Sequence, residues 1–107
     1  MKQIITIIMA VALTACSFRG FQPPPEGYEV YKERNLGVSN QTIMQDMKNC
    51  GFPDVYHTSE YLVSDRNEFT KSTLCMESKG YRSNSHGGIC KIDSFKNTEA
   101  CQKHLSQ

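Results

Sequence analysis

The sequence contains no tryptophan, no Cys-x-x-Cys pair, and none of the motifs Gly-x-Ser-x-Gly, His-Glu-x-x-His or Ser-x-x-Lys. These motifs mark serine hydrolases, zinc proteases and β-lactamase-like enzymes. The missing cysteine pair also removes the usual spacing of structural zinc sites and of thiol-redox centres. We therefore expect a non-enzymatic protein that uses no metal and no cofactor.

The chain also has no large excess of positive or negative charge. Removal of residues 1–15 would take away Lys2 and leave eleven of the twelve basic side chains against eleven acidic ones. Nucleic-acid-binding proteins need a basic stripe to meet the phosphate backbone. A nucleic-acid partner is therefore not expected.

Three histidines are the residues to weigh for catalysis, because a hydrolase needs a nucleophile oriented by a base. His57, His86 and His104 stand in no catalytic motif, and we expect each of them at the surface. His86 precedes Cys90 by four positions, which alone does not make the paired spacing of a zinc site.

The N-terminus has the three-part layout of a secretory signal: Met1 and Lys2, an apolar run from Gln3 to Ala15, and small residues before a cysteine. A membrane-spanning helix needs about 20 apolar residues. This run is shorter, so a cleaved signal over 1–15 is favoured over a transmembrane anchor.

The residues Leu13-Thr14-Ala15-Cys16 match the lipobox of bacterial lipoproteins at every position, and over residues 1–16 the chain resembles that class. The resemblance implies a diacylglyceryl group on the Cys16 sulfur, cleavage before Cys16, and a further fatty acyl chain, typically palmitate, on the new amino end. Ser17 stands where aspartate would favour the inner membrane, so the resemblance implies the outer membrane. We expect the domain to face the periplasm. The alternative is an unlipidated signal in which Cys16 is only a small residue.

Residues 16–28 follow as a lipidated end and a tether, because three successive prolines, Pro23 to Pro25, remove donors and fix φ. Residues 29–107 then form one small domain. The mean hydropathy of the chain is −0.50, and a domain of this size has little stability to spare.

Four cysteines remain after Cys16, and an even number in a short exported chain predicts disulfides. Three pairings are possible. We favour Cys50–Cys75, which would join two predicted helices, and Cys90–Cys101, which would close the C-terminal segment. In the chain-entropy model these two bonds contribute roughly 3.5 and 2.8 kcal/mol.

A mainly α domain of two main helices and a C-terminal helical turn is predicted. Ser39 as N-cap, apolar residues at helical spacing and Gly51 before Pro53 predict a helix over 40–50 that buries Ile43, Met44 and Met47. Asp65 and Glu68 form a capping box for a second helix over 66–79.

The other segments have weaker patterns. Residues 29–37 are predicted to be extended, 54–64 to be a connection, and 83–88 (SNSHGG) to be a surface loop. Ile89, Cys90 and Ile92 favour a short strand, and Thr98 is expected to cap the last turn. The phrases at 49–53 and 75–81 are similar to small cysteine-rich Gram-negative envelope lipoproteins, a likeness that implies no activity.

Three functions are therefore considered. The first is an outer-membrane accessory that binds another envelope protein, with Tyr28 and Tyr31 as the tyrosines expected to be exposed. The second is a tethered inhibitor or exclusion factor against a lysozyme, phage or plasmid, with residues 83–88 as the inserting loop. The third is a small envelope hydrolase, which would require an essential histidine.

Overall fold

The computed structural model describes residues 24–107, which form a helical domain without any β-strand in that range. The signal, the lipobox with Cys16 and most of the tether lie outside the described residues. The helices are α1 (Tyr28–Arg34), α2 (Asn40–Asn49), α3 (Ser59–Ser64), α4 (Arg66–Ser78), α5 (Asp93–Lys96) and α6 (Glu99–Leu105), with a 3-10 helix at Ile89–Lys91. Within 24–107, none of these helices has the length and apolar content needed to cross a membrane.

The two main helices begin at the caps that the sequence predicts. The Ser39 hydroxyl accepts a hydrogen bond from the Thr42 N–H at 3.2 Å, and the Asp65 carboxylate accepts one from the Glu68 N–H at 3.0 Å. Gly51, with φ at 95°, ends the first of them. Glycine is favoured there because other residues rarely adopt a positive φ.

The prediction of extended chain over 29–37 is wrong, since α1 occupies most of this segment. Its central residue Tyr31 is 4% exposed and packs edge-on against Phe52 and Tyr81, with ring centroids 6.4 and 5.8 Å away. A helix of two turns has too few apolar positions for a helical period to be recognised in the sequence. We infer that the packing of Tyr31 against Phe52 and Tyr81 stabilises α1.

The predicted strand at 89–92 is wrong as well. Ile89 and Cys90 are neighbours and both are buried, at 3% and 8% exposure, which an alternating strand face does not allow. The backbone instead makes a 3-10 turn, and the Ile89 N–H donates to the Glu77 carboxylate at 2.8 Å. The connection over 54–64 contains the short helix α3, while Thr98 caps the last helix as predicted.

Two disulfides close the fold in the pairing that the sequence favours. Cys50–Cys75 joins the end of α2 to α4, and Cys90–Cys101 joins the 3-10 helix to α6. The residues they link are 25 and 11 positions apart. Each bond therefore removes conformational freedom mainly from the unfolded chain.

The apolar core has two parts that share one side chain. The larger part is formed by Tyr31, Ile43, Met47, Phe52, Val55, Met76 and Tyr81, and the smaller by Ile89, Cys90 and Cys101. The partly buried ring of Phe69 packs against both parts. It lies edge-on to Phe52 at 6.0 Å and is stacked on Phe95 at 6.0 Å. Phe69 therefore links the disulfide-closed C-terminal part to the rest of the domain.

Candidate functional site

An apolar groove of about 190 Å³ opens where α1, α3, α4 and α5 meet. Its lining side chains are mainly aliphatic and aromatic: Val30, Tyr31, Phe52, Leu62, Phe69, Ile89, Ile92 and Phe95. Gly27, Thr58, Thr73, Ser83 and Asn84 complete it. The groove is an apolar concave surface, and such surfaces are where ligands and partner side chains bind.

The polar residues in the groove wall already have partners inside the protein. Thr58 Oγ1 accepts from the Gly27 N–H at 3.2 Å, and Thr73 Oγ1 donates to the Phe69 carbonyl at 2.9 Å. Ser83 donates to Glu77 at 2.6 Å, and Asn84 Oδ1 accepts from backbone N–H groups of its own loop. No charged side chain of residues 24–107 lines the groove. An occupant would therefore be held by apolar and ring contacts.

Aromatic rings dominate the groove's floor and walls. Phe52, Phe69 and Phe95 follow one another at centroid distances of 6.0 Å, and the Arg66 guanidinium lies 5.4 Å from the outer ring, that of Phe95. Burial raises the pKa of Tyr31 above its ordinary value. The phenol is therefore neutral at physiological pH and contributes a ring surface.

A second concave surface, more polar, is formed by the loop 83–88 and its support. One oxygen of Glu77 accepts hydrogen bonds from Ser83 Oγ at 2.6 Å and from the Ile89 N–H at 2.8 Å. Asn84 Oδ1 accepts from the His86 N–H at 2.7 Å. Both ends of the predicted surface loop are thus fixed, and His86 and Gly87 are exposed between them.

The chemically active side chains do not form a catalytic arrangement among the described residues. His57 Nδ1 lies 3.2 Å from Asp54 Oδ2, both at the surface, while the nearby Ser59 hydroxyl donates to Glu26 and makes no hydrogen bond to His57. The hydrogen bond from the Tyr56 N–H lowers the pKa of Asp54, and it contributes more to this shift than the His57 imidazole does. A nucleophile–base hydrogen bond, the mark of activated serine, is not formed here.

The remaining predicted site residues are placed as follows. His57, His86 and His104 are all exposed, as expected. Cys90 is disulfide-bonded and cannot serve as a thiolate ligand beside His86. Residues 24–107 contain no cluster of three or more potential metal ligands. Cys16 lies outside the described range.

The prediction that Tyr28 and Tyr31 are an exposed pair is wrong. Tyr31 belongs to the core, and the tyrosine most open to solvent is Tyr56, 58% exposed. Tyr28 is half-buried and lies edge-on to Tyr56 with centroids 5.9 Å apart. An aromatic pair does adjoin the tether, but its outer ring comes from the connection before α3.

Sequence reasoning missed the groove, since Val30, Leu62, Ile92 and Phe95 lie in segments without a clear period. The available signal was an excess of apolar residues in segments read as connections. No model of a known protein family, no curated protein and no solved structure matches the chain.

Proposed function

We propose that this chain is a lipoprotein of the outer membrane, anchored through Cys16 and facing the periplasm, that binds an aromatic side chain of another envelope protein in the apolar groove. The protein acts as a binding or assembly accessory and performs no reaction. The observation that carries this proposal is the groove itself, an open apolar concavity without a charged wall among residues 24–107.

The size and lining of the groove favour an aromatic side chain. An engineered apolar cavity of about 150 Å³ in another protein binds benzene, and this groove, at about 190 Å³, offers comparable room. Its rings allow an incoming ring the offset or edge-on contacts that aromatic pairs prefer, worth about 0.5–1.5 kcal/mol beyond burial. A buried aromatic anchor is also the usual energetic centre of a protein interface.

The N-terminal sequence supports the location. Cys16 lies eight positions before Pro24, a reach of at most about 29 Å. Lipid on Cys16 would therefore hold the groove close to the membrane surface, where other envelope proteins are anchored. The two disulfides agree with an oxidising compartment such as the periplasm.

Site-specific photo-cross-linking in intact envelopes tests the binding proposal. A photoreactive residue at Ile92, in the groove, is compared with one at Leu105, which is 54% exposed on α6. We expect a discrete adduct from position 92 alone, with the partner's cross-linked peptide containing an aromatic residue. Equal adducts from both positions, or attachment to charged segments only, would contradict the proposal.

The anchor has its own test. Intact-mass measurement of the membrane-extracted chain is expected to find acyl chains on a polypeptide that begins at Cys16. Cys16→Ser should abolish both processing and acylation, while Ser17→Ala, the neighbouring control, should keep both. A Cys16→Ser chain that is processed and membrane-bound as before would refute lipidation at this residue.

The alternative function, a tethered inhibitor of a lysozyme, phage or plasmid, is favoured by a different observation. Glu77 and Asn84 hold the loop 83–88 in a fixed shape that exposes His86 and Gly87. Ser83 and Asn84 hold the loop in place, so the test variant is His86→Glu, which leaves both of them unchanged. Unchanged sensitivity of the cells to every such agent would eliminate this alternative.

A further inference from the structure

We propose that Phe21 of the chain's own tether occupies the apolar groove when no partner is bound, so that the tether is a competing ligand for the site. This inference rests on the groove of the proposed function and adds how access to it is regulated. The partner's aromatic side chain would displace Phe21 and release the tether.

The tether meets the domain beside the groove. Pro24 and Pro25 line a shallow depression together with Leu62 and Phe69, and both of these side chains also line the groove. Thr58 is likewise common to the depression and the groove. The described chain therefore begins next to the surface that Phe21 would need to reach.

Hydrogen bonds fix the position of this junction. The Tyr28 N–H donates to the Val55 carbonyl at 2.8 Å, and the Gly27 N–H donates to Thr58 Oγ1. The Glu26 carboxylate accepts from the Ser59 N–H at 3.0 Å and from the Ser59 hydroxyl. Pro25 is consequently held at a constant place relative to the groove.

The spacing of the tether suits Phe21. Phe21 lies three positions before Pro24, a reach of at most about 11 Å. A linker this short gives an effective concentration in the millimolar range. Prolines 23–25 also restrict the unbound conformations that would otherwise oppose docking.

Phe18 fits less well, although it is the other aromatic residue of the tether. It is followed by Arg19, and burial of a charge without a partner is costly. The groove offers no carboxylate among its described lining residues. Phe21 instead lies between Gly20 and Gln22, which are both uncharged. Phe18 is therefore the matched control.

The absence of tryptophan makes the test direct, since a single introduced tryptophan gives the only indole emission of the chain. The processed, lipidated chain is placed in phosphatidylcholine vesicles as Phe21→Trp or as Phe18→Trp. We expect Phe21→Trp to emit at shorter wavelength and to be quenched several-fold less by acrylamide than Phe18→Trp. Equal emission and equal quenching of the two variants would overturn the proposal.

A second comparison separates the groove from the bilayer as the place of protection. Ile92→Lys and Val30→Lys each put a charge into the groove wall and should expose the indole at position 21, whereas Leu105→Lys on α6 should not. Circular dichroism identifies any variant that has lost its helices. Quenching of the indole by brominated lipid in the otherwise unaltered chain would place it in the bilayer and overturn the proposal without use of the lysine variants.

The two proposals fail in different ways. An exposed indole at position 21 beside a groove-specific cross-link to an aromatic segment removes the tether's role and leaves the binding function intact. A protected indole that the groove variants expose, without any groove-specific cross-link, keeps Phe21 in the groove and removes the partner.

Discussion

The side chain of Asn35 pairs with both backbone groups of Arg82. Asn35 Nδ2 donates to the Arg82 carbonyl at 3.1 Å, and the Arg82 N–H donates to Asn35 Oδ1 at 3.0 Å. The same Nδ2 donates to the carbonyl of Tyr31, the central residue of α1, at 2.7 Å. One amide thus closes α1 onto a segment 47 residues later in the chain.

Asn35→Ala should lower the free energy of unfolding by about 0.5–1.5 kcal/mol, because it removes the hydrogen bonds that join Tyr31 to Arg82. Urea unfolding measures this directly. Leu36→Ala is the control, since Leu36 is 78% exposed and its truncation should change stability by less than about 0.5 kcal/mol. Equal effects of the two substitutions would show that the pairing does not stabilise the domain.

Gly27→Ala should disturb the junction between tether and domain. Gly27 has φ at 66°, and a Cβ atom there would overlap the Val55 carbonyl oxygen. Strain of this kind costs about 1–3 kcal/mol before the overlap is counted. The melting temperature of Gly27→Ala should therefore be lower than that of the unaltered protein.

Gly37→Ala is the matched control for that substitution, because no neighbouring atom lies within 4 Å of its added Cβ. It should be neutral or slightly stabilising, through reduced freedom of the unfolded chain. Equal melting temperatures of the Gly27→Ala and Gly37→Ala proteins would contradict the close contact between Gly27 and Val55.

Mild reduction should open Cys50–Cys75 before Cys90–Cys101. The first pair is half-buried, whereas Cys90 and Cys101 are 8% and 0% exposed. Thiol exchange requires access to a sulfur atom. Mass spectrometry after alkylation, over a time course in dithiothreitol, should find labels first on residues 50 and 75.

Full reduction should unfold the domain, since the two loops together account for several kcal/mol of stability. Circular dichroism in excess dithiothreitol provides the measurement. A reduced chain with unchanged melting would mean that the helical core is stable alone.

Acid should weaken the attachment of the tether at Glu26. Donation by the Ser59 hydroxyl, and next by the Ser59 N–H, lowers the pKa of Glu26 below its ordinary value of 4.5. A lowered pKa means that the ionised carboxylate stabilises the folded state above that ordinary value, and that this stabilisation is lost as pH falls through the lowered one. Glu26→Gln should therefore differ from the unaltered chain at neutral pH and converge with it in acid.

Amide hydrogen exchange at Gly27 and Tyr28, followed from neutral pH to acid, measures this loss locally. Glu60→Gln serves as the control, because Glu60 is an exposed carboxylate next to Ser59 in α3. Identical pH profiles of the two variants would exclude a role of Glu26 in holding the tether.

The parts of the fold that were predictable are those fixed by local chemistry. Ser39 and Asp65 accept from the first turns of α2 and α4, and both helices are long enough for their apolar spacing to be read. The caps and the helical spacing depend on residues close together in the sequence. The disulfide pairing was favoured because one bond would join these two helices and the other would close the C-terminal segment.

The parts that were missed depend on distant contacts. Tyr31 makes α1 helical because Phe52 and Tyr81 surround it, and Glu77 turns the backbone at Ile89 away from a strand. The groove is lined by side chains that are up to 65 positions apart, from Val30 to Phe95. No local sequence pattern predicts that these side chains lie close together. Composition revealed the apolar residues but not their convergence.

Because Phe69 lines the groove and also packs in the core, binding in the groove can be detected through the stability of the domain. The Phe69 ring packs against both parts of the core and also lines the groove, so a molecule seated there would contact the side chain on which both parts rest. Ligands that bind only the folded state raise the melting temperature, and the stabilisation grows with the logarithm of the ligand concentration relative to its dissociation constant. A melting screen of small aromatic compounds and aromatic-bearing peptides can therefore report directly which chemistry the protein accepts.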